Sequence, residues 1–430
     1  MKRHAISLLV GALLLALAAP ALAAEAKTNA TKKDDAEFDM HAAYVRYHFK
    51  DTDMDFTFGS VVLGGAPNGG VEIGEAFATA ARIKDGDAAS WQDEWFKMAQ
   101  MAEARGEKSL AAGHKESARQ QLMRASNYYR VSLMAMLAGD QRLAERGTKS
   151  RQLMRKAGTL MSPPLEYFEV PFEGTVLPGF FRAAKADGKP RKTLLMLGGG
   201  ETYAEDLIFF IMPQAIERGY NFITVDLPGQ GNMPLQGKYF RADMWSPVMA
   251  VVDKIITRKE VDRKRLAVFG ISAGGGFAPQ AAEHDKRLKA VVVSSCVVDA
   301  QPLLSTWSHI QKGTPAEMAT WTSFHANTVK GMAGRWNVPP DNVPGLIAAN
   351  KGFSFTPGNI SAPMLSVVGE GEYGGAEVKR QQKLCIEGSA LGNRKLVVTP
   401  LAEGASNHCI MENRSLMAQE VFDWLDGALK

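Results

Sequence analysis

Hydrophobic and polar positions alternate with three different textures along the chain. Residues 6–19 form an apolar stretch, followed by a polar, charged lead-in over 24–40. From Met40 to Met161 apolar positions recur at helical spacing, as in Trp91, Trp95, Met98, Ala102 and again in Ala118, Leu122, Ala125, Tyr129. This spacing predicts packed amphipathic helices, interrupted by a glycine-rich loop at Gly64–Gly70 and ended by Ser162, Pro163, Pro164. No self-similar period marks the segment as a repeat array. Beyond it, short β-rich runs alternate with helical stretches: Tyr167–Pro171, Thr193–Leu197, Phe222–Val225, Leu266–Phe269, Ala290–Ser294, Met364–Val368 and Lys395–Thr399. The later runs are continuously apolar, the pattern of central strands in a mostly parallel sheet with helices on both faces. Residues 299–359 break the alternation and carry Trp307, Trp321, Phe324, Trp336, Phe353 and Phe355. They are read as an insertion between two strands.

The first 23 residues, with Lys2 and Arg3 before the apolar run and Ala21, Leu22, Ala23 at its end, have the form of a cleavable secretory signal. The run is shorter than the roughly 20 residues that span a bilayer. The expectation is a bacterial periplasmic or secreted protein with no membrane anchor after cleavage. Removing Lys2 and Arg3 lowers the formal charge from +4 to +2. The remaining basic runs are short and mixed with acids, which argues against nucleic acid as a partner. With three cysteines at most one disulfide can form. Cys296 lies in an apolar run and reads as a small core residue, whereas Cys385 and Cys409 could pair only if the fold joins them. No CxxC, HExxH or GxxxxGK spacing is present and the eight histidines are scattered, so no metal and no cofactor are expected.

The strongest chemical signal is Gly270-Ile271-Ser272-Ala273-Gly274, directly after the run LAVFG and before a helical stretch. A GxSxG turn between strand and helix requires small residues around the serine and leaves its hydroxyl exposed above the sheet edge. A serine hydroxyl needs a base, and the base needs an acid that fixes its tautomer. In this topology they follow in the order serine, acid, histidine. His408, after the last strand, occupies the base position. Glu370 and Glu372 both follow the run MLSVV, and Asp299 is a third possibility; spacing from Gly369 favours Glu372. An oxyanion needs two converging amides, expected from Ala273 and from the glycines Gly198–Gly200, with Gly200 preferred. Asp226 reads as a structural cap of the loop Pro228–Gly231.

Further residues carry a family resemblance. They are Gly86, Asp87, Ser90, Trp91 and Trp95; Arg124–Ser126 with Tyr128–Arg130; Ser162–Pro164; Pro228–Gly231; Phe240–Asp243; the turn at Ser272; and Glu403–Cys409. Across nearly the whole mature chain the sequence resembles the FrsA-like, 2,6-dihydropseudooxynicotine-hydrolase type of α/β-hydrolase. The resemblance implies an α/β-hydrolase fold over 163–430, with the lid insertion 299–359, preceded by a helical N-terminal cap domain over 24–162. It also implies a site between core and cap, and it suggests a homodimer. The chain departs from the family in Glu372 and Glu201, where aspartates are usual, and in Gly276, where an aromatic is usual. The expected function is an exported serine hydrolase that acts on an ester or related acyl substrate, apolar or aromatic in character. Ser272, His408 and Glu372 would act through an acyl-enzyme. Relatives that split carbon-carbon bonds beside a ketone supply an alternative, hydrolysis of a β-diketone-like substrate with Glu201 or Glu205 as an auxiliary acid. A third reading is a non-catalytic binding protein on a hydrolase scaffold.

Overall fold

The computed structural model describes residues 44–430 apart from Ser389; the expected signal and most of the polar lead-in lie outside the described residues. Among the described residues five α-helices precede the sheet: α1 (Thr52–Phe56), α2 (Ile73–Ala80), α3 (Ala88–Ala111), α4 (Lys115–Val131) and α5 (Gln141–Thr159). Asp87 starts α3 by accepting the Ser90 amide at 3.0 Å, satisfying one of the orphan donors of the first turn. The predicted loop at 64–70 is instead mostly a 3-10 turn, Leu63–Asn68, ended by Gly69 at φ 76°. It is held in because a Cβ on Gly64 would stand 2.0 Å from the Met411 carbonyl oxygen.

The sheet has eight strands in the order β1-β2-β4-β3-β5-β6-β7-β8. They are β1 (Leu165–Phe172), β2 (Thr175–Arg182), β3 (Arg191–Leu197), β4 (Asn221–Val225), β5 (Val261–Ile271), β6 (Ala290–Ser294), β7 (Met364–Gly369) and β8 (Arg394–Thr399). β1 and β2 pair antiparallel, β2 joins β4 antiparallel, and every pairing from β4 to β8 is parallel. Sequence analysis missed β2, because Pro178 and Gly179 read as breakers. They are tolerated here: the Pro178 carbonyl accepts the Asp226 amide at 2.8 Å, and a Cβ on Gly179 would meet the Thr224 oxygen at 2.5 Å. The helices α6 (Ala204–Glu217), α7 (Trp245–Ile255), α8 (Gly274–His284), α14 (Ala376–Glu387) and α15 (Arg414–Ala428) cover the sheet.

Between β6 and β7 the insertion folds as α9 (Ala300–Leu304), α10 (Ser308–Gln311), α11 (Pro315–Met318), α12 (Ser323–Gly334) and α13 (Gly345–Ala349). Its neck is closed by a bridge between Asp299 and Ser354 and by the Ala300 amide on the Phe353 carbonyl at 3.1 Å. The N-terminal helices share one hydrophobic core with the sheet helices, so Trp91, Trp95 and Tyr128 belong with Phe209, Phe210 and Phe269. Trp91 and Trp95 are fully buried. An aromatic of this kind removes about 150–250 Å² from water, roughly 4–6 kcal/mol at ~25 cal/mol per Å². The N-terminal helices also grip the insertion, through the Phe324 amide on the Gly86 carbonyl at 3.0 Å and the Trp91–Phe324 ring contact. Among the described residues no helix is long and apolar enough to cross a membrane.

Candidate active site

The turn after β5 shows why its sequence must be GxSxG. Ser272 sits at φ 56°, a left-handed conformation that costs a side-chain-bearing residue energy. A Cβ on Gly270 would stand 1.8 Å from the Gly274 oxygen, and one on Gly274 would stand 2.7 Å from the Leu197 oxygen. Neither position admits any other residue without backbone movement. The Ser272 amide donates to the Ser294 carbonyl at 2.7 Å and to Cys409 Sγ at 3.1 Å, which fixes the turn against β6 and the His408 loop.

The glycine loop after β3 approaches this serine closely. A Cβ on Gly199 would lie 2.4 Å from Ser272 Cβ and 2.8 Å from its Oγ. The Gly199 amide is taken by Thr202 Oγ1 at 2.9 Å, whereas the amides of Gly200 and Ala273 have no acceptor among the described residues. Gln230 braces the loop by donating to the Gly198 and Gly199 carbonyls at 2.7 and 3.0 Å. That contact gives the Pro228–Gly231 motif a purpose which sequence analysis did not find.

His408 is 3% exposed, and its Nδ1 lies 2.9 Å from Oε1 of Glu372, which is 0% exposed. The same oxygen accepts Ser295 Oγ at 2.6 Å, and Oε2 accepts the Cys409 amide at 3.4 Å. Burial would raise the Glu372 pKa, but the charge of His408 and the hydrogen bonds from His408, Ser295 and Cys409 hold it below the ordinary carboxylate value. For His408 burial disfavours the charged ring, yet its contacts with Cys409 and Glu372 outweigh that and lift it well above the ordinary imidazole value. Burial keeps the Cys409 thiol up, so Glu372 is the charge that sustains the imidazolium. Ser295 and the thiol of Cys409, 3.4 Å from His408 Nε2, were not foreseen as site residues.

Ser272, Ala273, Gly200, Glu201, Glu372 and His408 all line one cavity of about 190 Å³. Its roof combines Asp53, Phe56 and Met134 of the N-terminal helices with Trp307, Trp336 and Phe353 of the insertion. Half of the six insertion aromatics thus face the cavity, while Phe324 serves the shared core. Phe353 also answers the departure at Gly276, where a Cβ would meet its ring at 2.6 Å. The insertion fills the space that an aromatic at 276 would take.

Three alternatives that the sequence left open are closed here. Glu205 is no auxiliary acid of the cavity: on the first turn of α6 it faces α5, where Arg151 grips it at 2.6 and 2.8 Å. Glu370 is exposed and accepts the Leu401 amide at 2.8 Å, outside the cavity. Cys385 does not pair with Cys409. It is bonded to Cys296, Cα atoms 6.4 Å apart, because α14 docks beside the end of β6, and Cys409 is a buried free thiol. Asp299 caps α9 on the Gln301 amide. Asp226 is a structural group, but it does not cap the loop Pro228–Gly231 as expected: it accepts the Ala204 amide at the start of α6 at 2.7 Å and Arg151 at 2.6 Å. Gly369, Gly371 and Gly374, directly after β7, have the GxGxxG spacing of a dinucleotide-binding turn, although sequence analysis reads no such motif after a strand. Its backbone is covered, since a Cβ on Gly371 would meet the Tyr44 ring at 2.2 Å and one on Gly369 the Ser406 oxygen at 2.4 Å. Among the described residues no group of three or more His, Cys, Asp or Glu is placed to hold a metal ion.

Several known proteins share this architecture or resemble the chain in sequence. The chain superposes on 2,6-dihydroxy-pseudo-oxynicotine hydrolase with a TM-score of 0.67 at 24% identity, covering 85% of this chain and 95% of that one. AbyA5 superposes with a TM-score of 0.59 at 17% identity, over 87% and 97% of the two chains. In sequence, 20-hydroxy-prefusarin hydrolase FUS2 of Gibberella moniliformis is 35% identical over 54% of this chain and 58% of its own length. Hydrolase LUC6 of a Fusarium species is 36% identical over 57% and 60%. The chain thus spans less than two thirds of the length of these fungal relatives. The family profile described as Esterase FrsA-like matches residues 79–320, a span that joins the last N-terminal helices, the Ser272 turn and part of the insertion. With an α/β-hydrolase sheet, helices ahead of it and more than half of its length in that match, the chain has the α/β-hydrolase fold and belongs to the FrsA-like esterase family.

Proposed function

We propose that the protein is a serine hydrolase of carboxylic esters or related acyl compounds, working through Ser272, His408 and Glu372. The observation that carries this reading is the 2.9 Å contact of His408 Nδ1 with buried Glu372, in a cavity that the strained Ser272 also lines. Glu372 fixes the tautomer in which Nε2 carries no proton and can take that of Ser272. Ser272 attacks the carbonyl, and the amides of Ala273 and Gly200 hold the oxyanion. His408 then gives the proton to the leaving group, and water releases the acid by the same route in reverse. The aromatic roof favours an apolar or aromatic acyl or leaving group.

A fluorophosphonate probe is expected to label the mature protein at Ser272 and to abolish ester turnover, with neither result in Ser272→Ala. A folded protein that takes up no probe would favour the binding-protein reading instead. Glu201 in the cavity supports a second reading, carbon-carbon hydrolysis with that carboxyl protonating the carbanion. Aryl and short acyl esters assayed beside β-diketones separate the two, and dominant diketone turnover would displace the ester reading.

Export belongs to the same proposal. The Cys296–Cys385 disulfide supports it, since such bonds persist in oxidising compartments. In a bacterial host the full chain is expected in the periplasmic or extracellular fraction, shortened to begin near Ala24. Recovery of an unprocessed cytoplasmic chain would count against export.

A further inference from the structure

One ionisable group of the cavity has no part in the acyl-enzyme steps. Glu201 directly follows Gly200, whose amide faces the developing oxyanion in the reading above, and its side chain lines the same cavity. Its backbone is fixed, because Arg130 Nη2 donates to the Glu201 carbonyl at 2.6 Å. The cations beside it are engaged elsewhere. Arg130 Nε pairs with Asp206 at 3.0 Å, and Arg335 Nη1 donates to the Gly229 carbonyl at 2.7 Å. Among the described residues the Glu201 carboxyl has no hydrogen-bond or ion-pair partner of its own. Its Oε1 stands near Gly331 of α12, where the cavity meets a smaller pocket lined by Arg130 and Arg335. A polar group so placed is costly unless something arriving in the cavity satisfies it.

We propose that Glu201 is a substrate-selecting residue that binds a hydroxyl or keto oxygen on carbon 3 of the acyl group. The inference rests on the acyl-hydrolase reading for where the scissile carbonyl lies. Consecutive Cα atoms are about 3.8 Å apart, so a carboxyl on the residue after the oxyanion donor reaches an oxygen one carbon removed from the scissile carbonyl. Burial pushes the Glu201 carboxyl above the ordinary value, Arg335 and Arg130 oppose this, and Asp53 and Asp206 add to it. A protonated carboxyl donates to a keto oxygen, and in either protonation state the group accepts from a hydroxyl. Purely aliphatic acyl groups leave it unpaired, and this is the source of discrimination.

The test uses the phenyl esters of butanoic, 3-hydroxybutanoic and 3-oxobutanoic acids. Wild-type protein is assayed for kcat/KM, and Ser272→Ala is titrated with the same compounds by calorimetry. Both oxygenated esters are expected to exceed the butanoyl ester by about tenfold in kcat/KM and in affinity, the worth of one well-formed buried hydrogen bond. In Glu201→Leu that ratio should fall to near one, while Glu201→Gln, which keeps the shape and a donor, should retain most of it. If the leucine variant does not fold, Glu201→Ala is read in the same way. Equal binding of the three esters, or a preference that survives Glu201→Leu, overturns the proposal. Preferential binding to Ser272→Ala with no turnover by wild type would keep the Glu201 subsite and remove the hydrolase reading.

Discussion

Replacing Glu372 with glutamine is expected to leave a folded protein whose kcat is lower by about 10⁴, the loss seen when the equivalent acid of a worked serine-protease triad is made an amide. The carboxylate is 0% exposed and gives one oxygen to His408 Nδ1 and Ser295 Oγ. An amide there can present its NH₂ to Nδ1, and this favours the tautomer with the proton on Nε2, where Ser272 must deliver one. The imidazolium formed during attack also loses its counter-charge. A pH signature accompanies the loss. As the proposed base, His408 must be neutral to act, and its contacts with Cys409 and Glu372 raise it well above the ordinary imidazole value. The acid limb of wild-type kcat/KM should therefore have its midpoint above about 6.5. Without the Glu372 charge the ring loses its proton more readily, so the residual activity of Glu372→Gln should have a limb at lower pH. Glu372→Asp keeps the charge on a shorter arm and should be partly active, whereas Glu370→Gln and Asp299→Asn should lose much less. Collapse in Glu370→Gln with near-normal Glu372→Gln would refute the assignment.

Arg151→Met is expected to cost about 3–5 kcal/mol of stability, the range for removing one partner from a buried ion pair. Arg151 on α5 reaches across to Glu205 on α6 and Asp226 after β4, and both carboxylates are about 1% exposed. Without the guanidinium two neighbouring carboxylates remain in apolar surroundings, where they repel each other and lack solvation. Asp226 would be driven to protonate. The damage should therefore ease as the pH falls and grow as it rises through about 6, the value to which burial already pushes Asp226. Urea unfolding at several pH values measures this. A midpoint shift worth less than about 1 kcal/mol, as for an exposed pair, would mean that α5 docks by its apolar face alone. The triple Glu205→Gln, Asp226→Asn, Arg151→Met change should recover much of the loss, since it leaves no uncompensated charge.

The chain itself determined whatever depends on neighbours in sequence. The GxSxG turn is legible because its glycines are required by atoms four residues away, as Gly270 against the Gly274 oxygen shows. Strands β3 to β8 are legible because a strand covered on both faces must be apolar throughout. β2 is not, since Pro178 and Gly179 are breakers unless an antiparallel neighbour absorbs them. His408 and Glu372 could be named from chain order alone, because a parallel sheet delivers its strand-end loops to one edge. Tertiary structure alone decided which long-range partner each group took. Cys296 reads as a core residue until α14 sets Cys385 beside it, 89 positions away. Ser295 reaches Glu372 across 77 positions. Glu201 and Glu205 are equivalent acids in the sequence, but the first precedes α6 and faces the cavity, while the second stands on α6 and faces Arg151. Gly276 is small because Phe353, from the far end of the insertion, occupies its space. Local sterics and burial are encoded within a few residues; contacts between distant segments exist only once the helices and sheet have packed and fixed the distances between them.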